Sequence, residues 1–560
     1  MEQTPFYADQ AHKCGAYKRR RDLVCVAIPE EPGIDKIGEC AFEGCSGLIE
    51  VTIPDGITSI GKCAFSGCVS LTCVRIPGSV TSIGPSAFSG CSSLTDIIIP
   101  DSVISIGDST FAECSGLTGI TIPEGVTSIG FDVFDGCRSL TSITIPGSVT
   151  SIGNHAFRGC SGLTGVTLPE GMTSIGSYAF FGCGLNSISF PDSIISIGSG
   201  AFRNCCNLTG ITVPDNVKVL CDDVFAGCSG LTSITIPEGV TAIGYGAFEG
   251  CSSLTYITIP ESVTSIGGHA FEGCSGLTGV RIPDGVTSIG AYAFAECSGL
   301  TSITVPESVT SIGWGAFSYC SSLTSIIFPE SAASIANHVL RGCSGLTAVT
   351  VPEGVTSIGY CAFSNCSGLT GITIPESVTS VGNFAFSGCS GLTGIIISEN
   401  VTSIGNWAFS GCRGLTGVTI PEGVTSIGVN AFSGCSGLTG ITIPGSVKSV
   451  GVNAFRGCTG LAGITVSNGV NSVRAFAFRG CRSLTSITIP DSVTSIGNKA
   501  FSGCSSLTFV SVPDSVTFIG KRAFRGCRLT EIMFRGKRYT NLRDFNAAAQ
   551  SCGAAKEDIM

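Results

Sequence analysis

The sequence predicts a repeat solenoid of about 22 coils, each close to 23 residues long and carrying one short parallel strand. Three observations carry that prediction. An aromatic slot recurs at Phe42, Phe65, Phe88, Phe111, Phe134, Phe157 and Phe180, resumes after a one-residue deletion at Phe202, and keeps step to Phe524 with Leu340 as the sole substitute. The segment ahead of each slot alternates apolar and polar residues, as in Ile143-Thr144-Ile145-Pro146, the period-two signature of a strand that buries one face. Composition completes the case: glycine is 77 of 560 residues and charged residues only 12%, yet Thr, Ser, Gly or Pro breaks every apolar run before it could span a bilayer. The apolar content therefore belongs to a core.

The elements follow in order. Residues 1–22 read as an N-terminal cap that shields the first coil. Its basic run, Lys18-Arg19-Arg20-Arg21, is open to three readings: a solvated cap, a localisation signal, or a contact for an acidic partner. No apolar stretch of the secretory type stands at the N-terminus, so the expectation from sequence favours an intracellular location. The solenoid runs from 23 to 534, opening with the strand Leu23-Val24-Cys25-Val26-Ala27-Ile28-Pro29. Because the strand recurs in one direction, neighbouring copies can pair in parallel while the rest of each unit returns the chain. In one typical unit Val149, Ile152, Ala156 and Phe157 supply the inward side chains of that return, and Gly153 permits its sharp turn. After the last strand, Leu529 to Phe534, residues 535–560 lose the period and read as a hairpin and helix that form a C-terminal cap or tail, with no separate second domain.

The I-x-I-P strand followed by V-x-x-I-G-x-x-A-F-x-x-C resembles the leucine-rich repeats of the Treponema-type, or BspA-like, family, over roughly residues 23 to 534. The resemblance implies a leucine-rich-repeat arc with the parallel β-sheet on its concave side, and surface-associated proteins engaged in adhesion and protein binding. It thus places the chain at the cell surface, where the N-terminus places it inside the cell. One departure stands out. The Asn ladder of ordinary leucine-rich repeats is replaced at its slot by Ser or Gly, so the turn needs another support.

Cysteine is the first candidate for chemistry, because 22 of the 31 fall three residues after the aromatic slot, from Cys45 to Cys527. Equivalent residues on adjacent coils lie about 4.8 Å apart, which suits a disulfide at the Cα level. The slot sits in an invariantly apolar register, which instead favours buried free thiols acting as small hydrophobes. Cys40 and Cys63 share another slot on adjacent coils and are the best pair for a bridge among the rest. His155, His269 and His338 occupy one slot but lie five and three coils apart, too far for a shared metal. Carboxylates after the strand proline form a serial row, including Glu124, Glu238 and Glu376, readable as solvated turns or as an attraction for basic partners. No phosphate loop, nucleophile elbow or zinc-protease motif stands in a suitable context, so no catalytic, cofactor-binding or metal residue is assigned and no enzyme is expected. A net charge of −10 argues against a general nucleic-acid binder.

What remains is binding. The two residues between Ile-Gly and Ala-Phe vary most, and both tryptophans of the chain fall there. Tyr292, Trp314, Tyr360, Phe384 and Trp407 come from five of six successive coils and are the candidate partner-binding residues, aligned over about 24 Å. They are open to a second reading, packing along the coil edge. The sheet face, with its Thr rows, is the alternative docking surface for an extended peptide or a glycan, although Thr is also simply a good strand former. The function expected is noncatalytic binding of a protein or glycan partner, with an intracellular structural scaffold as the alternative.

Overall fold

The computed structural model describes residues 5–554 of a chain that divides into two compact units, Met1–Gly285 and Val286–Met560. Each unit is a parallel-strand solenoid. In the first, the strands Cys25–Ala27, Glu50–Thr52, Cys73–Arg75 and Asp96–Ile98 pair in parallel and in register, with Val26 opposite Val51 and Val51 opposite Val74. In the second, Gly371–Thr373, Gly394–Ile396 and Gly417–Val418 do the same. The middle residue of each such strand is buried and its neighbours face outward, as the alternation requires. A second parallel ladder, two residues per coil, runs through pairs such as Ser59–Ile60 and Ser82–Ile83.

The aromatic slot forms the spine of the core. Phe42, Phe65 and Phe88 in the first unit, and Phe363, Phe386 and Phe409 in the second, are all 0% exposed. Their rings stack nearly parallel on those of the next coil, 5.2 Å apart for Phe42 and Phe65 and 5.1 Å for Phe363 and Phe386. That spacing slightly exceeds the coil rise of about 4.8 Å, so the stack is offset, the arrangement the ring quadrupoles favour.

The thiols do more than fill space. Each in-phase Sγ–H donates to the carbonyl of the spine residue one coil earlier, at 3.2 Å from Cys68 to Phe42 and 3.1 Å from Cys366 to Leu340. Each such carbonyl already accepts the backbone N–H of its own coil's cysteine, as Phe42 does from Cys45 at 3.1 Å, so the thiol adds a second donor from the next coil. The thiols are free, and burial pushes Cys228, Cys274 and Cys320 up to about 12. Cys40 and Cys63 are also free thiols, half-buried rather than bridged.

The missing Asn ladder has two further replacements. Thr hydroxyls donate to the carbonyl one coil back, as from Thr393 to Thr370 at 2.9 Å. In the first variable position, Asn side chains accept a backbone N–H from the next coil: Asn154 from Ser177 at 2.8 Å, Asn383 from Asn406 and Asn406 from Val429 at 2.7 Å.

Glycine after the second-ladder Ile is a steric demand. A Cβ at Gly382 would stand 2.7 Å from the carbonyl oxygen of Ile358 and 2.8 Å from the carbonyl carbon of Gly359. Two coils of the second unit depart from this rule, at Arg474, whose strand Ser472–Val473 stays paired on both sides, and at Ala336, whose strand does not. Between Leu323 and Gly345 the slot holds Ala336, the strand Ser311–Ile312 ends its ladder, and Ile335 makes only an isolated bridge to Ile358. Leu340 takes the spine position there, fully buried, with Val339 beside it restoring part of the lost volume.

Both ends are closed. Phe6–Tyr7 pairs in parallel with Cys25–Ala27, and buried Tyr17 stacks on Phe42 at 5.2 Å, so the first residues add one further coil to the spine. At the other end Lys537–Tyr539 turns back antiparallel onto Glu531–Phe534. The helix Leu542–Ser551, capped by Asn541 accepting from the Asp544 N–H, buries Phe545 against Phe524 and Phe534.

Candidate functional site

The candidate residues sit on the turn that leads from the second ladder into the spine. Its second variable position is left-handed backbone, with φ 57° at Tyr292, 58° at Phe384 and 54° at Trp407. Such a conformation costs a side-chain-bearing residue roughly 1–2 kcal/mol, which is why glycine stands there at Gly200, Gly246 and Gly315. The turn also aims the side chain at the following coil. Tyr292 lies across Gly315, where a Cβ would meet its ring at 2.5 Å, so that part of the edge is packing along the stack.

The five candidates are not equivalent. Tyr360 and Phe384 meet edge to face with centroids 5.7 Å apart, and Phe384 stacks on Trp407 at 5.0 Å with only 3° between planes. Trp314, 62% exposed, stands apart from this group. The structure also adds a ring that sequence reading left out. His338 lies 5.0 Å from Tyr360 in a T-shaped contact, so the coil from Leu323 to Gly345 contributes a ring to this group. Burial, and then the charge of Arg341, hold the His338 imidazole below its ordinary value, both disfavouring its charged form. The Arg341 guanidinium lies 5.5 Å over the Tyr319 ring. The signal for both was legible only in part: His338 occupies by register the second variable position that Phe384 and Trp407 hold, whereas nothing local says that a Tyr in the usual glycine position would meet Arg341.

Pairing of Tyr360 and Phe384 on adjacent coils, one in the first and one in the second variable position, gives a continuous apolar row from His338 to Trp407. Among the described residues no group of three or more His, Cys, Asp or Glu side chains could hold a metal ion.

The sheet face of the same unit offers the other surface. A shallow groove of about 1300 Å³ is floored by Gly371, Gly394, Gly417, Gly440 and Gly463 at one strand position. A Cβ at Gly371, Gly394, Gly417 or Gly463 would meet nothing within 4 Å, so packing does not demand glycine at those places.

Comparison with known proteins bears on this geometry. A family model described as a BspA type leucine rich repeat region (6 copies) matches residues 14–141, 127–255, 219–347, 310–439 and 425–546. A leucine-rich repeat protein from Bacteroides ovatus is 28% identical, over 79% of this chain and 88% of its own, with a TM-score of 0.31. A leucine rich cell surface protein from Faecalibacterium prausnitzii is 30% identical, over 69% of this chain and 88% of its own, with a TM-score of 0.29. A leucine rich repeat protein from T. pallidum is 32% identical, over 32% of this chain and 77% of its own, with a TM-score of 0.26. No curated protein matches the chain.

Proposed function

Because the chain belongs to the BspA-type leucine-rich repeat family, we propose that it is a noncatalytic interaction protein whose contact surface is the aromatic row of Tyr360, Phe384 and Trp407, flanked by His338 and by the separate ring of Trp314. The observation that carries this reading is the row itself: partly exposed rings on successive coils, two of them held in left-handed backbone that disfavours bulky side chains. Buried aromatics at the centre of a contact are the residues that dominate binding energy.

The ring geometry favours a protein over a glycan. Phe384 and Trp407 spend facing surfaces on each other, so those two ring faces are not free for a sugar. Sugar rings stack on free aromatic faces, whereas peptide carbonyls and apolar side chains pack against ring edges. No cofactor or metal enters this function. The test is retention of the full chain on protein and on polysaccharide fractions of its native source. Phe384→Ala with Trp407→Ala should weaken protein retention at least tenfold, the effect of losing about 1.4 kcal/mol or more. Unchanged retention with an unchanged melting curve would remove the row from the contact surface, and retention on polysaccharide alone would hand the row to a glycan.

Compartment is part of the same proposal, since adhesion requires the cell surface. Asn207, Asn365 and Asn400 each head an acceptor sequence for N-glycosylation, and all three are exposed. Glycan on them in the native protein establishes secretion, while unmodified sites favour the intracellular scaffold. No helix among the described residues is long and apolar enough to cross a membrane.

A further inference from the structure

The charge of the chain is sharply divided. Residues 1–447 hold 15 Lys and Arg against 34 Asp and Glu, a net −19, whereas residues 448–543 hold 14 against three, a net +11. The basic stretch is ordered as well as dense. Its aspartates, Asp491 and Asp514, follow strand prolines on another turn. The turn that leads into the spine carries Arg456, Arg474, Arg479, Lys499, Arg522 and Arg525 across the last four coils, with no carboxylate among them.

These cations have no internal task. The corresponding carboxylates of the first unit are engaged, Asp135 by Arg158 at 2.7 Å and Asp223 by Arg203 at 2.6 Å. None of the six cations makes an ion pair, and all but half-buried Lys499 are exposed. Arg479 and Lys499 lie 5.8 and 5.5 Å over the ring of Phe476, which braces them on the surface. Arg456, Arg479 and Arg525 share one slot, and the spine rings beneath them step by 5.4 Å from Phe455 through Phe478 and Phe501 to Phe524. The slot holds Ser502 on the coil between Arg479 and Arg525, where Lys499 supplies the cation, and like charges set one or two coils apart repel one another unless a polyanion lies along them.

We propose that this basic edge binds a linear anionic polysaccharide carrying one carboxylate or sulfate per sugar, laid along the axis of the coil stack. Each of the last four coils carries at least one cation on this turn, at Arg456, Arg479, Lys499 and Arg525, so a stiff chain with an anionic group on every sugar can engage them along the stack. An extended acidic peptide sets its same-face carboxylates about 6.6 Å apart and drifts out of register within a few coils. Single-stranded nucleic acid needs open aromatic platforms, and the one ring here is occupied by cations. The proposal concerns a second surface and does not rest on the aromatic row.

The test is calorimetric titration of the full chain with polygalacturonate oligomers at low and at physiological salt. Binding should weaken as salt rises, because counterions are released on association. Arg456→Glu with Arg479→Glu and Arg525→Glu should lower affinity at least tenfold. Arg75→Glu with Arg138→Glu and Arg413→Glu makes the same change in net charge at exposed sites elsewhere and should leave affinity unchanged. If the glutamates disturb folding, glutamine at the same three edge positions should give a smaller loss with an unaltered melting curve. Absence of polygalacturonate binding, or an equal loss in the control variant, overturns the proposal. So does equal or tighter binding of poly-glutamate, an oligothymidylate or phosphatidylserine vesicles, which would assign the edge to an acidic protein, a nucleic acid or a lipid surface respectively.

Discussion

The coils Leu323–Gly345 and Leu369–Gly391 have the same length and the same spine register, yet only the second is paired on both sides in the second ladder. Ser380–Val381 joins Ser357–Ile358 behind it and Ser403–Ile404 ahead, whereas Ile335 bridges forward alone. The difference traces to few atoms. Gly382 lets its coil approach the one behind, whereas the irregular coil carries a Cβ at Ala336 and has Ala332 and Ala333 in place of the usual Val and Thr; a Cβ alone is tolerated, since Arg474 holds the same slot in a coil paired on both sides. Phe386 continues the ring stack, and Leu340 breaks it. In a solenoid each coil contacts only its neighbours, so such a fault stays local, and the ladder resumes at the next coil.

The largest effect should erase the comparison. Both coils belong to the thiol ladder, through Cys343 and Cys389, and burial raises the folded-state value of Cys343, and of Cys320 nearby to about 12. A group whose folded value is raised contributes stability that is complete below its unfolded value, about 8.5 for a thiol, and lost as pH rises through the folded one. Raising pH from about 9 toward 12 should therefore unfold the regular and irregular coils together, followed by circular dichroism. Thiolate absorbance that appears near pH 9 while the fold persists would show that the ladder is open to solvent.

A smaller effect should separate the two coils. Phe386→Ala should cost about 3–5 kcal/mol, the usual result of emptying a buried aromatic site. Leu340→Ala should cost less, because the stack is already broken there. Hydrogen exchange should quicken around residue 386 and in the adjoining coils, and an unaltered pattern would mean that the ring does not support them.

The smallest effect repairs the fault. Ala336→Gly with Leu340→Phe should add about 1 kcal/mol and extend the ladder from Ile312 through Ile335. In the native chain limited proteolysis should cut first between residues 331 and 342 and leave two stable fragments, and the repaired chain should lose that site. First cuts spread evenly over the coils, or confined to the ends, would mean that the irregular coil is no weaker than the rest.

Legibility followed the range of the interaction. The register of Phe42 to Phe524 and the alternation of Ile143-Thr144-Ile145 named the core, the strands and their parallel pairing, because these depend on a period along the chain. The cysteine slot was read as apolar, and its thiol hydrogen bonds were missed, because the Phe carbonyl each one meets belongs to the preceding coil. The candidate row was legible as a register, and its membership was not. His338 joins Tyr360, and Trp314 stands apart, because the left-handed turn and the offset between coils decide which rings meet.

The sequence by itself determined the repeat, the buried set and the division of charge between residues 1–447 and 448–543, since each is a sum or a period over residues in order. Only the tertiary structure decided where that order becomes contact. Stacking brings position n beside position n+23, and at that distance along the chain the direction of a turn, as at Phe384, settles whether two rings touch.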